Sequence, residues 1–161
     1  MMLRSLAFAL VLVAGGTHAS DKPANKAVAK TPATASPVIA SDGWIRVLPG
    51  TLPAGGFVTF ENTSDRALSI VSADSADYGD VMIHRSSTEG GMGRMEMVDS
   101  VPLPAKQKTS FSPGGYHVML MDAKHPVKAG DTLTVTFKLS DGEAVPVKML
   151  ARPANATGPH D

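Results

Sequence analysis

The sequence predicts an all-β domain folded as an antiparallel β-sandwich. Between residues 38 and 152 the apolar residues fall in short runs that are β-branched or aromatic. Gly, Pro, Asn and Asp separate these runs at the spacing of a sandwich or barrel. No segment sustains the 3.6-residue period of an amphipathic helix.

The first strand is expected over 44–48, from Trp44-Ile45-Arg46-Val47-Leu48, and the second over 56–61, from Gly56-Phe57-Val58-Thr59-Phe60-Glu61. Asn62-Thr63-Ser64-Asp65 ends the second, and 68–71 follows with Leu68, Ile70 and Val71. A strand over 80–84 closes on His84, and Glu89-Gly90-Gly91 supplies the turn into 94–98. Pro102-Leu103-Pro104 is expected to turn the chain into 108–111, and Pro113-Gly114-Gly115 turns it again into 116–121. Strands over 132–139 and 144–150 complete the domain.

The flanks read differently. Residues 1–19 have the form of a secretory signal: Arg4 near the start, an apolar run from Ser5 to Ala14, and Thr17-His18-Ala19 as the small-residue cleavage site. The apolar run is too short for a bilayer span. Residues 20–37 are rich in Ala, Lys, Thr and Pro and read as a flexible linker. Residues 153–161 read as a disordered tail.

Composition excludes several classes. Formal net charge is zero over 161 residues, so nothing in the composition suggests a nucleic-acid binder, which normally shows a clustered basic surface. There is no cysteine. Disulfides, thiolate metal sites, cysteine nucleophiles and blue-copper centres are therefore excluded. No nucleophile-elbow sequence occurs.

The chemistry concentrates between residues 82 and 121, which hold Met82, Met92, Met95, Met97, Met119 and Met121 of the nine methionines. Met82 and His84 are two apart, as are Met95 and Met97; His117, Met119 and Met121 continue the step. A strand repeats every two residues, so each set lies on one face. If successive strands simply alternate up and down, His84, Met95, His117 and Met119 meet at one pole. Thioether sulfur is soft and neutral and favours Cu(I); a structural zinc site would recruit thiolates or several histidines. Glu96 alternates to the other face. Methionine is also a common core filler, so packing competes with metal binding at each single position. Met97 shares the face of Met95 and rivals it. Met82, Met92 and Met121 read as packing or rim, and His125, before Pro126, as a surface residue.

The segment from His84 to Met119 resembles the PCuAC family of periplasmic copper chaperones. Ten residues separate His84 from Met95, twenty-one separate Met95 from His117, and His117-Val118-Met119 closes the motif. The words Ala54-Gly55-Gly56-Phe57-Val58-Thr59-Phe60 and Pro113-Gly114-Gly115-Tyr116-His117-Val118-Met119-Leu120-Met121 are similar as well. The resemblance implies a cupredoxin-like β-sandwich that binds one Cu(I) through His84, Met95, His117 and Met119, without catalysis. It implies a periplasmic location and delivery to the Cu-A domain of cytochrome c oxidase subunit II, beside a Sco-type thiol protein. Some relatives hold Cu(II) on a His- and Met-rich extension; the tail here offers only His160. A copper buffer that does not deliver, and a structural or adhesive sandwich with core methionines, are the rival readings.

Overall fold

The computed structural model describes residues 36–160. Among these the chain forms β1 (Val38–Arg46), β2 (Ala54–Asn62), β3 (Leu68–Ser75), β4 (Tyr78–Ser87), β5 (Arg94–Met97), β6 (Val101–Leu103), β7 (Lys108–Phe111), β8 (Tyr116–Ala123), β9 (Thr132–Leu139) and β10 (Ala144–Arg152). A 3-10 turn, Glu89–Gly91, joins β4 to β5. The expected signal segment, and the linker up to residue 35, lie outside the described residues.

The strands hydrogen-bond in the order β5-β4-β8-β7-β2-β1-β10-β9-β3-β6, and β2 also pairs with β8. The order folds on itself, bringing β3 against β4, so the two halves face each other as a sandwich. Strict alternation drives this closure. Ile83, Val118, Leu120, Val58 and Phe60 point inward from one half, and Ile70, Val135, Phe137, Leu139 and Met149 from the other. Phe60 and Phe137 meet edge-to-face across the interior, with centroids 4.8 Å apart.

Three expectations need correction. Residues 101–103 are a strand, not a turn: Val101 and Leu103 are fully buried and pair with β3. Pro102 is tolerated there because β6 is an edge strand, where a missing N–H breaks no ladder. The strands do not simply alternate. β4 lies beside β8 although three strands intervene in sequence, and the pairs β1/β10 and β7/β8 are parallel. Residues 153–160 do not behave as a free tail. Ala156 is buried with Trp44 and Phe57, and its carbonyl accepts a 2.9 Å bond from Arg46 Nε.

β2 crosses from one neighbour to another. Gly55 and Gly56 pair with Met119 and Val118 of β8, and Val58 to Glu61 pair with β7. A Cβ on Gly56 would stand 2.5 Å from Val118 Cγ2. Glycine is thus required for β2 to approach β8 this closely.

Candidate metal centre

The register of β4, β5 and β8 builds the site. His84 sits opposite His117, and Met82 opposite Met119, across the antiparallel β4/β8 pair. On the other side of β4, Met97 sits opposite His84, and Met95 opposite Ser86. Directly opposed residues share a face. All six therefore lie on the outer face, because the intervening Ile83 and Val118 are committed to the core.

The two imidazoles form the centre. Their ring centroids are 5.8 Å apart at 78°, within reach of one ion bound between them at about 2.0 Å from each nitrogen. His117 is 6% exposed. Its ring is held by the turn before it. Pro113 and a positive-φ Gly114 occupy the middle of a type II turn, closed by Gly115 N–H donating to the Ser112 carbonyl at 2.9 Å. The Gly115 carbonyl then accepts from the Ser86 amide at 3.0 Å and from His117 Nδ1 at 3.1 Å. A carbonyl only accepts, so Nδ1 carries the proton and Nε2 is left as the ligand nitrogen.

A cavity of about 290 Å³ is lined by His117, Met119, Met95, Ser86, Phe57 and Arg46, among others. Met95 reaches it from an edge strand and is 59% exposed. His84 stands beside this cavity rather than in its wall. Its Nδ1 is buried with no hydrogen-bond partner among the described residues. Burial, and then the neighbouring His117, hold its pKa below the ordinary imidazole value. His84 is thus disposed to be neutral, the form that binds metal.

Behind His117 stands an aromatic wall. The Phe57 ring lies 6.3 Å from the His117 ring and 4.5 Å from Trp44. The Arg46 guanidinium caps Phe57 and Trp44 at 5.3 Å from each centroid. Sequence reasoning overlooked this wall as part of the site. The signal was present: if Val58 and Phe60 face inward, alternation turns Phe57 outward.

The structure thus gathers His117, Met119 and Met95 around one cavity with His84 at its edge. Met97 is directly across from His84 but lines a different cavity. Two expected bystanders lie elsewhere, His125 paired with Asp77 and His160 near Asp42. Among the described residues no three His, Cys, Asp or Glu side chains are grouped to hold a metal. Any ion bound at this face would therefore depend on thioether sulfur.

Residues 38–151 match the family model described as "Putative lipoprotein LpqE-like". The chain belongs to the LpqE-like family. This LpqE-like chain is 31% identical over 148 residues to "Putative lipoprotein Lxx21020" of Leifsonia xyli subsp. xyli (strain CTCB07), covering 91% of this chain and 87% of that one. Its fold is similar to the solution structure of apo-DR1885 from Deinococcus radiodurans, with 28% identity, TM-score 0.59, and coverage of 94% and 99%. The form titled CuI-DR1885 is similar at 29% identity and TM-score 0.58, with coverage of 83% and 87%. The apo PmoF2 PCuAC domain shares the fold at TM-score 0.63 and 21% identity, covering 76% of this chain and 95% of that domain. The PCuAC resemblance carried by the motif thus recurs in the fold of this LpqE-like protein.

Proposed function

We propose that this LpqE-like domain is a Cu(I) metallochaperone whose ligands are His84, Met95, His117 and Met119. The supporting observation is the pairing of His84 with His117 across β4/β8, rings 5.8 Å apart, with Met119 and Met95 on the same face. Two imidazoles and two thioethers are neutral and soft, which favours Cu(I) over zinc or a hard cation. The likeness to a copper(I)-bound structure of related sequence supports the same cargo.

The site suits a carrier and not a catalyst. It lies at a sheet edge, with Met95 exposed on β5, where an incoming ligand can displace one protein ligand at a time. The recipient we favour is the cysteine-bearing Cu-A domain of cytochrome c oxidase subunit II, assisted by a Sco-type thiol protein. Thiolate binds Cu(I) more strongly than thioether, so the gradient runs away from this protein. The signal-like residues 1–19 and the lipoprotein names of its family and of its Leifsonia relative support export, and we place the protein in the periplasm.

The test mixes Cu(I)-loaded protein with a reduced, soluble Cu-A domain and follows copper by chromatographic separation. Transfer to the acceptor, with no return from the loaded acceptor, is expected. Copper that stays put under excess acceptor would make the protein a buffer.

A further inference from the structure

Two further soft side chains adjoin His84: Met97 across β5, on the side away from His117, and Met82 two residues along β4, opposite Met119. Because β4 runs between β5 and β8, the row Met97–His84–His117 crosses the three strands in register. Met82, two residues before His84, shares its face. Met82 and Met97 both line a cavity of about 220 Å³, walled by Val71, Val81 and Val98 with Asp99 beside them. This cavity is separate from the one lined by Met95, His117 and Met119. His84 adjoins both groups while lining neither cavity, and among the described residues its buried Nδ1 has no hydrogen-bond partner.

We propose that Met82, Met97 and the His84 imidazole form a second Cu(I) position, which exchanges copper with the His117-centred site through His84 as the shared ligand. This rests on the copper reading above. Two thioethers and one neutral imidazole make a soft three-ligand set of their own. One carboxylate, Asp99, adds attraction for a cation without supplying the several oxygens that a hard ion requires. Met97 is 65% exposed on an edge strand, so copper or a donor chain reaches it without strand opening. Passage between the positions is ligand exchange alone: Met95, Met119 and the His117 imidazole leave the ion as Met82 and Met97 take it up, His84 stays bound, and the ion remains Cu(I).

The experiment uses the full chain with 13C-methyl methionine and the variant Met95→Leu/Met119→Leu. These swaps conserve volume and keep both histidines, so the fold should survive; a thermal melt checks this. Cu(I) is titrated anaerobically against a Cu(I) chelator. We expect the variant to retain Cu(I) at reduced affinity and the Met82 and Met97 methyl signals to shift on loading. Adding Met82→Leu and Met97→Leu should lower the affinity at least a further tenfold, whereas adding Met121→Leu should not. If the wild type binds Cu(I) but the variant does not, or binds it with Met82 and Met97 unmoved, the second position is wrong and the copper reading stands. If the wild type binds no Cu(I), both fall.

Discussion

His117 has its ring orientation set by the Gly115 carbonyl, and His84 has a lowered pKa and an unpartnered nitrogen. Loss of either imidazole removes a nitrogen donor that no neighbouring residue replaces. Substituting His84, Met95, His117 or Met119 one at a time should weaken Cu(I) binding at least tenfold, about 1.4 kcal/mol. His125→Ala, at the Asp77 pair, should leave it unchanged in a chelator competition. Damage from Met97→Leu and none from Met95→Leu would move the ligand assignment to Met97. Acid acts through His84 in a known direction. Its native pKa lies below the unfolded value of about 6.5. Protons therefore compete with copper for this ligand only below that pH. The apo protein likewise loses stability as pH falls below about 6.5, where the unfolded chain takes up a proton that the native imidazole resists. Comparing denaturation of wild type and His84→Gln from pH 7.5 to 5 should show a shallower acid slope in the variant. The period-two step from His117 to Met119 was legible because a strand face follows from spacing alone. The place of Met97, opposite His84, was not, because it depends on the register of a hairpin whose turn holds the two positive-φ glycines Gly90 and Gly91.

At the scale of elements, the close approach of β2 to β8 carries the site. Gly56→Ala would drive a methyl group into Val118. Overpacking of this kind costs about 1–3 kcal/mol. The variant should unfold at lower denaturant and bind Cu(I) more weakly, since β8 bears His117 and Met119. An unchanged denaturation midpoint would show that β2 and β8 can part without penalty. Nine of the ten strands were readable from β-branched runs bounded by turn residues. β6 was not, because Pro102 at its centre signals a turn unless the strand is known to lie at an edge. The neighbourhood of β4 and β8 was also hidden: it follows from sandwich closure, which no local pattern encodes.

At the scale of the whole molecule, the core and the ligand face are opposite sides of the same strands, so alternation in β4 and β8 serves both. Sandwich architecture was legible for that reason. The packing of 153–160 was not. A single small residue, Ala156, in a polar stretch carries no periodicity, and it is buried only because Trp44 and Phe57 face outward and need cover. Trp44 is the sole tryptophan and is 3% exposed. Its ring touches Phe57, which in turn stands 6.3 Å from His117. The molecule therefore contains an intrinsic optical reporter. Deleting residues 153–161 should shift Trp44 emission to the red as water reaches the indole, and an unmoved maximum would mean that the segment does not cover it. In the intact chain, any repacking of Phe57 on copper loading would register in the same emission band, so one fluorophore reads both the seating of the C-terminal segment and the state of the site.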